Sequence, residues 1–121
     1  MATFSKIPLS QSSFGKSVQL TLSATPGTLI HTTGTLSANI DEIWLYASNV
    51  STVDSNTTFY WGSTAQQDII AQINVQAYSG LTLIMPGAVL GGNNVEGAVI
   101  YATTQYPSAV NVVGYVNRIT A

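Results

Sequence analysis

Cysteine is absent, histidine occurs once, and only eight of the 121 residues carry a formal charge. Without cysteine there is no disulfide, no thiolate nucleophile and no cysteine-ligated metal, which fits a cytosolic site of synthesis. The charges are Lys6, Lys16 and Arg118 against Asp41, Glu42, Asp54, Asp68 and Glu96. At 7% of the chain they fall far below the ~25% of an ordinary soluble domain. Three scattered basic residues cannot neutralise a run of phosphates or make a polybasic membrane anchor. Neither nucleic acid nor a membrane is therefore expected as a partner. No stretch approaches the ~18 consecutive apolar residues of a membrane span, and residues 1–17 lack the apolar core of a secretory signal.

Uncharged polarity takes the place of charge. Ser, Thr, Asn and Gln supply 43 residues, yet 45% of the chain is hydrophobic, too much for a disordered chain. One domain is expected at this length. A 12.7 kDa fold keeps roughly 6,200 Å² of accessible surface and can bury a real core. Asn49 and Asn56 head Asn-x-Ser/Thr triplets, which arise by chance at this Ser and Thr content.

Residues 1–17 read as an N-terminal arm with Phe4, Ile7, Leu9 and Phe14 among Ser and Gln. Pro8 lacks a ladder donor, so the arm is at best an edge strand. Residues 18–121 read as β throughout. Val18, Leu20, Leu22 and Ala24 alternate with polar neighbours, the period of a half-buried strand, and Pro26-Gly27 makes a turn. Further strands are expected over 28–33, 42–49, 57–61, 68–75, 81–85, 95–103 and 109–119. About eight short strands at this spacing predict a single-domain, antiparallel β-sandwich, jelly-roll-like, carrying an arm. Residues 65–75 also fit helical spacing, but no helix stop follows and strand is the better reading.

Three runs are apolar on both faces. Ile43, Leu45 and Ala47 oppose Trp44 and Tyr46; Val99 and Tyr101 oppose Ala98, Ile100 and Ala102; Val112 and Val116 oppose Val113 and Tyr115. A sandwich strand has one face in the core, so the second face must meet loops, the arm or another chain. A subunit contact is the expectation.

Catalytic chemistry has few carriers, and no catalytic, cofactor or metal residues are assigned. His31 is the lone imidazole, and no Gly-x-Ser-x-Gly elbow accompanies it. A lone histidine on a short strand is ordinarily a packed side chain. Asp41 and Glu42 point to opposite faces if extended, which is wrong for a pair of glycosidase carboxylates. No calcium loop occurs, zinc has one His and no Cys, and Gly91-Gly92-Asn93-Asn94 lacks the lysine of a phosphate loop. The chain is not expected to be an enzyme. Its aromatic residues, Trp61 and Tyr60 among them, leave glycan binding as a minor alternative.

Several stretches in series carry a resemblance. They are Ala24-Thr25-Pro26-Gly27-Thr28, Asp41-Glu42-Ile43-Trp44-Leu45-Tyr46-Ala47-Ser48-Asn49, Thr58-Phe59-Tyr60-Trp61-Gly62, Asp68-Ile69-Ile70, Pro86-Gly87, and Gly114-Tyr115-Val116-Asn117-Arg118-Ile119-Thr120. In order and spacing they resemble small β-rich virion proteins of tailed bacteriophages, head decoration (cement) proteins among them. The resemblance implies a virion protein on the capsid exterior, a homotrimer whose partner is the major capsid protein, clamping neighbouring coat subunits. Another virion part (tail, spike or head–tail joining piece) is the alternative it leaves open. On this reading Trp44, Tyr46, Ile100 and Tyr115 are the candidate subunit or shell contacts, and Phe4, Ile7 and Phe14 the candidates for arm docking.

Overall fold

The structure, a computed structural model, describes residues 2–120; Met1 and Ala121, the ends of the expected arm and sandwich, lie outside them. Along these residues run β1 (Thr3–Pro8), β2 (Val18–Gln19), β3 (Thr28–Thr32), β4 (Ile40–Asn49), β5 (Ser55–Gly62), β6 (Ile69–Val75), β7 (Thr82–Gly91), β8 (Val99–Thr104) and β9 (Val110–Thr120). A 3-10 turn, Gln66–Asp68, leads into β6.

Strand β2 pairs with β9, β3 with β8, β4 with β7 and β5 with β6, all antiparallel. That nesting is one long hairpin wound on itself, the jelly roll. Winding then brings β9 beside β4 and β8 beside β5. The result is two packed sheets, ordered β1-β9-β4-β7 (with β2 also on β9) and β3-β8-β5-β6. The expected all-β, jelly-roll-like sandwich is what the chain forms.

Alternation dictates what fills the space between the sheets. Along β4, Asp41, Ile43, Leu45, Ala47 and Asn49 are buried, while Ile40, Glu42, Trp44, Tyr46 and Ser48 turn outward. Phe59 and Ile100 from the second sheet and Val112 and Val116 from β9 close the core. Asn49 is buried with it, its Nδ2 donating to the Val53 and Val75 carbonyls at 2.8 Å each. Its amide is therefore a fold contact and is closed to a glycan.

The segment read as an arm is built into the first sheet. β1 pairs with β9 over six residues, and Pro8 ends it where no ladder donor is required. Leu9 then drops into the core. An accessible surface of 6328 Å² is close to the scaling value of about 6,200 Å², so no long appendage stands away from the body.

Three boundaries differ from those expected by more than two residues, each for a local reason. The strand expected from residue 18 stops at Gln19, because Thr21 turns away and its N–H meets the Thr28 hydroxyl. β7 runs on to Gly91 through Pro86, absorbing it with two register shifts on an edge where a missing donor is tolerated. β8 starts at Val99, since Asn93 Oδ1 accepts from the N–H groups of Val95 and Glu96 and holds them in a turn.

Candidate functional site

Residues directly opposite across a ladder share a face, so the register sets the outward side chains of the first sheet in rows. Phe4, Ile119 and Ile40 make one row; Lys6, Asn117, Glu42 and Val89 the next. Tyr115, Trp44 and Pro86 follow with Pro8, and then Val113 and Tyr46, with Leu83 opposite Tyr46. Phe4 is 71% exposed, Leu83 48% and Val89 54%. This face is apolar and open. Its two charges, Lys6 and Glu42, stand in one row.

The centre of the face is rigidly built. Tyr115 and Trp44, opposite each other on β9 and β4, stack with ring centroids 5.9 Å apart and planes within 10°. Lys6 Nζ lies 4.6 Å from the Tyr115 ring centroid on the neighbouring strand, a contact of about 0.5–1 kcal/mol at an exposed site. On the β7 side Trp44 abuts Gly87, where φ is +83° and a Cβ would come within 2.9 Å of Trp44 Cζ2. Glycine is thus required twice there, by conformation and by the indole. Trp44 Nε1 and Asn117 Nδ2 both donate to Glu42 Oε1 at 3.0 Å, and these hydrogen bonds hold the Glu42 carboxyl below its ordinary value.

Beside this row a groove of about 490 Å³ opens between β1 and the turn that follows it, lined by Lys6, Ile7, Pro8, Phe14, Gly15, Gly114 and Tyr115. Phe14 is 97% exposed and left-handed, with φ at 55°, an uncommon state for a non-glycine residue. At the far end of the face the Asn111 side-chain oxygen is buried without a hydrogen-bond partner among the described residues.

The structure thus brings together Trp44, Tyr46, Tyr115 and Phe4 on one face, with Phe14 at its border. Two expected residues fall elsewhere. Ile100 is fully buried because it opposes Trp61 on the inner side of the second sheet; it is a core residue and no contact. Ile7 points inward and packs on the chain's own core, so its docking partner is this chain. Two of the rings considered for glycan binding are occupied, whereas Tyr78 is 69% and Tyr106 44% exposed. Trp61 packs against the core, and Tyr60, 8% exposed, shares a hydrogen bond with Thr25 Oγ1 at 3.1 Å. On the second sheet the outer face along β5 and β6 carries Asn56, Thr58, Gln72 and Asn74, with Ile70 41% exposed beside them.

A buried polar cluster ties the sheets together behind the aromatic face. Arg118 donates to both Asp41 oxygens, Nε to Oδ1 at 2.8 Å and an Nη to Oδ2 at 2.9 Å. His31 Nε2 meets Asp41 Oδ2 at 2.7 Å, and the Ser10 backbone N–H donates to His31 Nδ1 at 2.9 Å. A donor on Nδ1 requires a neutral ring with its proton on Nε2. Ser10, His31 and Asp41 are neighbours, yet this is no nucleophile relay. Ser10 Oγ instead accepts from the Thr32 N–H, and neither imidazole nitrogen is left to take a proton from a hydroxyl.

Burial lowers the His31 pKa below its ordinary 6.5, outweighing the Asp41 contacts that raise it. Burial pushes Asp41 up, but the hydrogen bonds from Arg118 and His31 prevail and hold it below 3.8. In both cases the unfolded chain binds the proton first, so stability is full above the unfolded pKa and falls as pH drops. Urea unfolding is expected to show a loss beginning near pH 6.5, from His31, and a second below about pH 3.8, from Asp41. With a single histidine in the chain, His31→Gln should flatten the first limb; an unchanged slope there would refute this assignment.

The sequence reading left His31, Asp41 and Arg118 as unrelated residues. Their spacing carries no signal that links them; each lies on or next to an expected strand with an apolar inner face. Compared with known proteins, the chain matches no family model, no curated protein and no solved structure.

Proposed function

We propose that this chain is a structural virion protein that binds the outer surface of a tailed-phage capsid as a decoration, or cement, protein and clamps neighbouring coat subunits. The observation that carries the reading is the open aromatic face of the β1-β9-β4-β7 sheet. An apolar patch of this kind on a charge-poor protein marks a protein–protein contact. Its aromatic centre is held rigid before any partner arrives, which lowers the ordering cost of binding. Trp44, Tyr46 and Tyr115 are the anchors, and Phe4 and Phe14 extend them along the first strand and its turn. The jelly roll does not decide the matter, since viral capsid and lectin domains both use it. Its partner is the major capsid protein, with copies grouped as homotrimers on the capsid exterior. Modest contacts, repeated around a particle, become strong through multivalency.

Quantitative mass spectrometry of purified particles tests this. The chain should be present in a fixed ratio to the coat protein and accessible to labelling from outside; absence from particles, or burial inside them, would overturn the proposal. A chain carrying Phe4→Ala and Phe14→Ala should keep its Tm within about 2 °C, as exposed side chains do, while its occupancy on particles drops several-fold. Full occupancy would remove both phenylalanines from the contact.

A further inference from the structure

A sheet edge presents unpaired N–H and C=O groups, and folded proteins close such edges with lysine, proline, bulges or covering chain. Here the edges are β1, together with the two-residue β2 beside it on β9, and β7 in one sheet, and β3 and β6 in the other. Three of them carry such devices. β1 has Lys6 and Pro8. β7 has Pro86 and two register shifts. β3 is covered: Gln11 N–H donates to the Ile30 carbonyl at 3.3 Å, the Thr32 N–H to Ser10 Oγ at 2.8 Å, and the Thr21 N–H to Thr28 Oγ1 at 3.1 Å.

β6 is different. Its sequence, Ile-Ile-Ala-Gln-Ile-Asn-Val, contains no charge, no proline and no glycine. One register shift falls at its start, between Ala71 and Ile69; from Ala71 to Val75 the ladder with β5 is regular. Among the described residues β5 is its only ladder neighbour, so alternate backbone groups face outward. Asn49 Nδ2 covers the Val75 carbonyl; the stretch before it has no such cover among the described hydrogen bonds.

We propose that two copies of this chain join at β6, each strand extending the other's sheet in antiparallel register about a two-fold axis at Gln72. What fits an open edge is an extended strand, and β6 is its own complement. The axis sets Ala71 opposite Ile73 of the second copy, so half-buried apolar side chains meet on the core side. It sets Gln72 opposite Gln72 on the outer side, where two neutral amides pair without repulsion, with Ile70 opposite Asn74 to either side. Because each copy has one open edge, the pairing closes at two and does not propagate into a fibre. The contact stands apart from the aromatic face and does not depend on what that face binds; it joins copies pairwise whether or not three are grouped elsewhere.

The full chain contains no thiol, so a single introduced cysteine reports its own surroundings. Light scattering across a concentration series should show a monomer–dimer equilibrium. Gln72→Lys, which faces two ammonium groups across the axis, should raise the dimer dissociation constant about tenfold or more at unchanged Tm. Mild oxidation of the Gln72→Cys chain should give a covalent dimer, whereas the Val89→Cys chain, labelled on the aromatic face, should not. A chain that stays monomeric up to millimolar concentration would overturn the proposal. So would a dimer indifferent to Gln72→Lys that cross-links through Val89→Cys, because the second copy would then sit on the aromatic face.

Discussion

Replacing Asp41 with alanine is expected to lower the unfolding free energy by about 3 kcal/mol or more, the scale on which a buried, hydrogen-bonded ion pair fails when one partner is removed. Asp41 accepts from Arg118 twice and from His31 once, and those donors come from opposite sheets, β9 and β3. Without the carboxylate the His31 Nε2–H is buried with no acceptor, and the Arg118 guanidinium loses its counter-charge. Arg118 is one-third exposed and can turn partly to water, which sets the estimate at the lower end of that scale. Asp41→Asn should cost nearly as much, because its amide NH₂ places a donor against donors. Urea unfolding at pH 7 measures both. A loss below about 1 kcal/mol for either, the value of an ordinary exposed pair, would show that the cluster does not hold the sheets together.

Removal of residues 1–10 is expected to abolish cooperative folding. The loss includes the β1 ladder on β9, the Ser10 donor to His31, and the Leu9 and Ile7 side chains. Burial of a leucine like Leu9 alone is worth about 2–5 kcal/mol, and a buried His31 Nδ1 left without its donor adds about 1–3 kcal/mol. Together these approach the whole stability of a small domain, about 5–15 kcal/mol. Leu9→Ala provides the graded version: a folded chain with its unfolding midpoint lowered by several degrees or more. Dispersion of amide resonances separates the two cases. A truncated chain that keeps a dispersed, cooperative fold would mean that the first strand is an accessory to the sandwich and no part of its frame.

These two results contrast with the phenylalanines of the same segment. Phe4 and Phe14 lie within a few residues of Leu9, yet they are exposed while Leu9 is buried. In sequence all three are apolar residues in a polar stretch, and period-two reasoning assigns no direction until a strand has a partner. Pairing of β1 with β9 supplies it, sending Phe4 outward beside Ile119 and Ile7 inward.

The sequence on its own determined the fold class, the inward set along β4 and the existence of a second apolar face, because alternation is a local property of the chain. Ile43, Leu45 and Ala47 opposing Trp44 and Tyr46 needed nothing beyond the geometry of an extended backbone. Low charge likewise leaves few groups to neutralise a run of phosphates, an expectation from composition alone. Tertiary structure decided which second faces stay open and which residues meet across long separations. Ile100 and Tyr115 look equivalent in sequence, each in a run apolar on both faces; strand order buries the first between sheets and leaves the second in the outward aromatic row. His31, Asp41 and Arg118 are joined only because winding of the hairpin lays β9 beside β4 and packs β3 beneath them. Contacts of that kind depend on strand order and register, which are set by the global sum of burial and hydrogen bonding and have no local sequence signal.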